Sequence, residues 1–281
     1  VLKEGAKLKI GVIGTGSMGT ILLESFIEAG AITPEQLVIM NRSKEKAEVL
    51  KKRFTGISIA PNAPAVVEEA DVIFLCTKPL QFPHVLREIS PVCRANKFII
   101  SITSPISVEQ LEDMVDCKVA RAIPSILNRA LTGPSLLSFG DRCTEENKQF
   151  LLKLMSQISE PLIIDENITR VSSDIVSCGP AFFSYIMQQF IDGAVRQTNI
   201  TQEDATTLAT NMMIGMGKLL EKGHFTLPTL QERVCVPGGI TGEGIKVLEA
   251  EIGSMFDHLF QQTHAKYYED QELISGAFSK K

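Results

Sequence analysis

Four short stretches carry residues that do chemistry by position rather than by acidity. Gly14-Thr15-Gly16-Ser17-Met18-Gly19 spaces three glycines as G-x-G-x-x-G. Asn41-Arg42-Ser43 groups an amide, a guanidinium and a hydroxyl, and Thr77-Lys78-Pro79 sets a hydroxyl beside an ammonium. Pro237-Gly238-Gly239-Ile240-Thr241 is a second glycine-rich turn with one hydroxyl. None of the four contains a histidine–carboxylate pair. Their common property is the ability to hold anions with backbone amides, hydroxyls and cations.

The glycine triplet is framed by an apolar run, Leu8–Ile13, and by a helix-like run, Ile21–Ala29. Strand, glycine loop and helix in that order form the dinucleotide-binding arrangement. Gly14 allows the tight turn, Gly16 leaves the backbone open to a pyrophosphate, and Gly19 lets helix and strand pack closely. The helix N-terminus offers free amides and the positive end of its dipole. The competing reading is a glycine-rich turn that binds no nucleotide. Asn41 stands at the end of the second strand, where NAD-binding folds place a carboxylate for the ribose hydroxyls. Arg42 and Ser43 beside it suit a 2′-phosphate through charge-assisted hydrogen bonds. The expected cofactor is therefore NADP(H), with NAD(H) as the alternative. Thr77-Lys78-Pro79 ends the fourth strand, and ligands of open α/β sheets sit at such carboxyl ends. Lys78 faces either the nicotinamide or its own helix. The Pro-Gly-Gly turn can bend amides around a carboxylate, with Thr241 as donor or acceptor. The bland reading of that turn is a hinge.

The elements that must position these residues follow from the apolar pattern. Strand-like runs at 8–13, 36–40, 57–59, 71–76, 97–102 and 118–123 alternate with helical segments, and two more runs lie at 135–139 and 161–164. This alternation predicts a doubly wound α/β sheet, a Rossmann domain over 7–163. Beyond Asp165 only helical patterns remain, giving an all-helical domain over 164–281 for substrate and dimerisation. The run Ala181–Ile191 is apolar on most of its circumference, so it is buried on all sides or shared with a partner subunit. Ser177-Cys178-Gly179-Pro180 is expected to kink or restart a helix. Residues Ile245 to Phe260 keep three-four apolar spacing as one long helix, and the polar tail 265–281 is expected to fray. So much apolar helical surface argues for a homodimer or higher homo-oligomer.

Composition narrows the function classes. A net charge of −5 gives no general basic field for nucleic acid. No apolar run reaches the roughly 18 residues that span a bilayer. Residues 1–7 lack the apolar block of a signal peptide. The 6 cysteines are scattered without a Cys-x-x-Cys pair, which fits reduced, mostly buried thiols in a cytoplasm. The 4 histidines have no metal-ligand spacing, so no metal site is expected.

Six pieces in order carry a resemblance: Gly14–Gly19, Asn41-Arg42-Ser43, Thr77-Lys78-Pro79, Arg121-Ala122-Ile123-Pro124, Gly179-Pro180-Ala181-Phe182 and Pro237–Thr241. Together they are similar to the pyrroline-5-carboxylate reductase family over essentially the whole chain. Within it the sequence most resembles the late-competence-operon branch of Gram-positive bacteria. The resemblance implies an N-terminal Rossmann domain and a helical domain that interlocks with a second subunit. It implies NAD(P)H-dependent reduction of the cyclic imine 1-pyrroline-5-carboxylate to L-proline. It further implies that Gly14, Gly16, Ser17, Met18 and Gly19 hold the pyrophosphate, and that Asn41, Arg42 and Ser43 hold the adenosine end. Lys78 and Pro79, with Thr77, flank the nicotinamide, while Gly238, Gly239 and Thr241 take the substrate carboxylate and ring nitrogen. The chain departs from the family pattern at Ser125 (Asn), at Ser177-Cys178 (Gly-Ser), at Val236 (Ser) and at the bulky Ile240. These departures keep two other functions in view: reduction of a different small imino or keto acid, and a non-catalytic dinucleotide-binding regulatory role.

Overall fold

The computed structural model describes residues 8–279; the leader reading of 1–7 and the last two residues of the tail lie outside them. Eight strands form one sheet: β1 Ile10–Ile13, β2 Leu37–Met40, β3 Ser58–Ile59, β4 Val72–Leu75, β5 Phe98–Ser101, β6 Lys118–Ile123, β7 Pro134–Phe139 and β8 Glu160–Ile163. Their order is β3-β2-β1-β4-β5-β6-β7-β8. The first six are parallel, β7 runs antiparallel to β6, and β8 is parallel to β7. Strands β1, β4 and β5 are buried at every position. That is why they read as unbroken apolar runs: helices cover both faces of a parallel sheet. The covering helices are α1 Ser17–Glu28, α2 Lys44–Arg53, α3 Ala63–Glu69, α4 Phe82–Ile89, α5 Val108–Glu112 and α6 Glu145–Met155. One core cluster gathers Phe26, Phe74, Ile100 and Leu151, and the other gathers Val66, Ile73, Leu86 and Ile99.

After β8 the main regular elements of the described residues are helices: α7 Thr169–Ser173, a π-helical turn Asp174–Cys178, α8 Gly179–Gln197, α9 Gln202–Glu221, α10 Leu227–Val234, α11 Ile240–Ile252 and α12 Met255–Ser279. The Gly179-Pro180 pair thus restarts a helix after a π turn. Two expectations need correction. The apolar series 245–260 is not one helix: Gly253, at φ 44°, ends α11 before α12 begins. The tail does not fray through the described residues, because α12 continues to Ser279. Ile274 is 1% exposed in the second core cluster, Phe278 packs beside it, and Arg87 Nη2 donates to the Ala277 carbonyl at 2.9 Å. These two apolar residues, one helical turn apart, seat an otherwise polar segment.

Internal contacts divide the chain differently from a cut at 163/164. One unit runs through Pro180 and resumes at Thr263; the other is Ala181–Gln262. The first unit keeps α7 and the π turn because they pack on the end of β6, and it recovers the C-terminal part of α12. The second unit has a small core of its own, Ile191, Ala205 and Ala209 with Met187, Val195 and Ile200 against it. Most of its apolar surface stays open in the single chain: Phe183, Tyr185 and Phe190 on α8 are 58–64% exposed, and Leu208, Met212 and Ile214 on α9 are exposed too. The helices of this unit cover one another only around that small core, and Phe183, Tyr185 and Phe190 of α8 lie outside it.

Candidate functional site

The sheet order reverses beside β1, so the carboxyl ends of β1, β2 and β4 converge on one crevice. The Gly14–Gly19 loop leaves β1, Asn41–Ser43 leaves β2, and Thr77–Pro79 leaves β4. The amide of Gly14 donates to the Met40 carbonyl at 2.8 Å, and Cys76 N–H donates to the Ile13 carbonyl at 2.8 Å. Gly14 holds φ 101°, and a Cβ there would lie 2.7 Å from the Cys76 carbonyl oxygen. A Cβ on Gly19 would lie 2.1 Å from the Gly14 carbonyl oxygen, whereas one on Gly16 would meet nothing within 4 Å. Gly16 thus leaves an open face where Gly14 and Gly19 are closed against protein.

The open face points to an anion. The Thr20 amide bonds the Gly16 carbonyl at 3.0 Å, so those of Ser17, Met18 and Gly19 precede the helical ladder. No acidic residue stands in the first turn of α1, and Gly16 supplies no side-chain cap. The hydroxyl oxygens of Thr15 and Thr77 are buried without a hydrogen-bond partner among the described residues. Free amides, a helix dipole and two unpartnered hydroxyls fit a pyrophosphate and its riboses. Burial pushes the Cys76 thiol up to about 12, so the sulfur beside this loop stays protonated.

At the adenosine end the three residues divide their work. Asn41 Oδ1 accepts the Thr15 amide at 3.0 Å, and its Nδ2 donates to the Ser43 carbonyl at 3.0 Å. Its side chain thereby ties the glycine loop to the turn after β2. Arg42 is exposed. Ser43 Oγ donates to Glu45 Oε2 at 2.7 Å, a contact that the sequence did not suggest. Lys78 is exposed and precedes the one-turn helix Pro79–Gln81.

Around the end of β6 lies a polar latch. Arg121, 1% exposed, donates to the carbonyls of Ser104 and Ile106 at 3.2 Å, to Glu166 Oε2 at 2.6 Å and to Thr169 Oγ1 at 2.6 Å. One guanidinium so joins the loop after β5 to the start of the helical segment. A lone arginine inside an apolar strand was the signal for such a role, since a fully buried charge demands partners. Two of the family departures, Ser125 and Ser177-Cys178, lie beside this latch. Ser125 Oγ donates to the Val176 carbonyl at 2.7 Å, and Ser177 Oγ donates to the Pro124 carbonyl at 2.9 Å. Arg170 Nη2 reaches Cys178 Sγ at 3.6 Å, and burial raises the Cys178 thiol above its usual value.

In the helical unit the Pro-Gly-Gly turn opens α11. Gly239 is its N-cap without a side-chain bond, and its amide donates to the Val236 carbonyl at 2.9 Å. A Cβ on Gly239 would lie 2.8 Å from Val236 Cγ2, so the turn closes tightly over that valine. Thr241, in the first turn of the helix, is exposed, and Ile240 is 92% exposed. The turn presents the first amides of α11 together with one hydroxyl.

Comparison with known proteins adds to this geometry. Residues 166–270 match the family model described as pyrroline-5-carboxylate reductase dimerisation. Residues 9–105, which include the glycine loop and the turns after β2 and β4, match the model described as NADP oxidoreductase coenzyme F420-dependent. By fold, the chain is similar to a pyrroline carboxylate reductase from Plasmodium falciparum with NADP bound, at TM-score 0.80 and 22% identity over 97% of this chain and 99% of that one. A pyrroline-5-carboxylate reductase from Coxiella burnetii superposes at TM-score 0.83, with 22% identity over 95% and 99%. In sequence the chain is 52% identical to ComE operon protein 4 of Bacillus subtilis, covering 96% of this chain and 99% of that protein. It is 30% identical to pyrroline-5-carboxylate reductase 3 of the same organism, covering 97% and 98%. With likeness of that extent end to end, the chain belongs to the pyrroline-5-carboxylate reductase family of oxidoreductases.

Proposed function

We propose that the chain is a cytoplasmic homodimeric reductase that converts 1-pyrroline-5-carboxylate to L-proline with NADPH. The observation that carries the reading is the pairing, in one chain, of an anion-ready glycine crevice with a second cradle built from Gly238, Gly239 and Thr241. Bound NADPH supplies the hydride. The amides of Ser17, Met18 and Gly19 hold the pyrophosphate, and Arg42 with Ser43 takes the 2′-phosphate. Thr77, Lys78 and Pro79 flank the nicotinamide. The Gly238 amide and the Thr241 hydroxyl hold the carboxylate and ring nitrogen, on a turn that Gly239 closes through its own amide's bond to Val236, and this orients the imine. Solvent protonates a free cyclic imine, so no histidine–carboxylate pair is required. The open apolar faces of α8 and α9 are the surfaces through which two copies associate. No helix among the described residues is long and apolar enough to cross a membrane.

Purified protein given NADPH and 1-pyrroline-5-carboxylate should oxidise NADPH at about 1 to 10³ turnovers per second, the ordinary enzymatic range. Confirmed NADPH binding without oxidation above background would overturn the reading. A second reading draws on Val236 and the exposed Ile240, which put apolar surface where the family carries a hydroxyl. They favour a small imino acid with a larger apolar substituent, and the same assay with such a substrate distinguishes the two. Arg42→Ala is expected to weaken NADPH binding about tenfold and leave NADH binding unchanged, because only the 2′-phosphate uses the guanidinium. Fluorescence titration with both cofactors measures this; equal losses for both would refute it.

A further inference from the structure

We propose that Glu45 is a specificity-determining residue that lowers the preference of this enzyme for NADPH over NADH. The proposal rests on the NADP(H) assignment of the crevice. Ser43 is the N-cap of α2, yet its hydroxyl makes no capping bond. The Lys46 amide takes the Ser43 carbonyl instead, at 3.2 Å, and the hydroxyl proton goes to Glu45 Oε2 at 2.7 Å. The Ser43 carbonyl is also fixed by Asn41 Nδ2 at 3.0 Å, so the turn itself is held in place. A carboxylate therefore already occupies the donor and the helix end that a 2′-phosphate needs.

The two cofactors meet this carboxylate differently. A 2′-phosphate brings close to two negative charges, so Glu45 must release Ser43 and swing away. Glu45 is exposed, so it can do so, but its charge remains near the phosphate. NADH presents a ribose hydroxyl at that position, which can donate to a carboxylate. Family folds that prefer NAD keep an acid at the end of β2 for this purpose. Here the amide Asn41 stands at that end, and the acid lies four residues on, at the first turn of α2. Arg42, Lys44 and Lys46 offset the repulsion without removing it, since all are exposed.

The test is titration of NADPH and NADH into wild-type protein, Glu45→Gln, Glu45→Lys and Ser43→Ala/Glu45→Gln, followed by cofactor fluorescence. Glu45→Gln should tighten NADPH about fivefold, the effect of removing one screened like charge at short range. NADH should weaken or stay constant, and Glu45→Lys should move the ratio further the same way. Without the Ser43 hydroxyl, the gain from Glu45→Gln should shrink. An unchanged NADPH-to-NADH ratio in both Glu45 variants overturns the proposal. If, in addition, Arg42→Ala costs nothing in NADPH, it is the 2′-phosphate reading that has failed; if Arg42→Ala still weakens NADPH, only the role of Glu45 has.

Discussion

Gly19→Ala is expected to abolish tight NADPH binding, by about a hundredfold or more, and to lower the thermal stability of the protein. The added methyl would lie 2.1 Å from the Gly14 carbonyl oxygen and 3.0 Å from Cys76 Cβ. Neither neighbour can yield cheaply. The Gly14 carbonyl belongs to a turn at φ 101°, pinned through its own amide to Met40, and Cys76 is the residue that follows β4. Helix α1 must therefore move off β1, and overpacking of this kind costs about 1–3 kcal/mol. The same movement carries the amides of Ser17 and Met18 away from where they meet the pyrophosphate. Gly16→Ala separates the two effects. Its methyl meets no protein atom within 4 Å, so the melting temperature should hold while NADPH binding falls, because the methyl stands where the pyrophosphate approaches the backbone. Melting curves and fluorescence titration on both variants measure this pair of outcomes. Wild-type NADPH affinity in Gly16→Ala would show that the loop does not hold the dinucleotide.

These contrasts show which parts of the molecule the chain makes legible. The parallel strands could be read within a residue or two because burial on both faces demands continuous apolar runs, and β4 and β5 are uniformly buried. The glycine loop could be read because turn geometry, open approach and close packing each exclude a side chain. What could not be read depends on partners distant in sequence. The reversal of β7 is set by its pairing with β6, and an isolated run such as Ser135–Phe139 carries no mark of direction. The seating of the tail depends on Ile274 and Phe278, too sparse to form a pattern in a polar segment. Asn41 could be placed at the adenosine end by its position, but not the tie its amide also makes between Thr15 and Ser43. At Ser125 the departure from the family is a structural bond to Val176, visible only once β6 and the π turn are side by side.

Asp174→Ala should cause the largest loss of stability, about 3–5 kcal/mol, the usual consequence of removing one partner of a buried pair. Asp174 is buried at the start of the π turn. Its Oδ1 accepts Arg170 Nη2 at 2.7 Å, its Oδ2 accepts the Thr263 hydroxyl at 2.8 Å, and His264 Nε2 lies 3.6 Å from Oδ2. Alanine would leave the Arg170 guanidinium, only 17% exposed, without its counter-ion, and would free α12 at the point where it rejoins the sheet unit. Arg170 also lies 5.4 Å over the Tyr267 ring, and Tyr267 donates to the Ser104 carbonyl that Arg121 shares, so the loss reaches the loop after β5. For a chain of this size the melting temperature should fall by about 10 °C. Asp174→Asn keeps an acceptor for Thr263 and should lose less. Lys266→Ala is the control, because its pairs with Glu269 and Asp270 are solvent-exposed and screened, and should leave the melting temperature unchanged. Burial also predicts that salt will not narrow the gap between wild type and Asp174→Ala, since screening acts through solvent that this carboxylate does not meet. A gap that closed as salt rose would mean that Asp174 is held by long-range surface charge rather than by the hydrogen bonds of its own pocket.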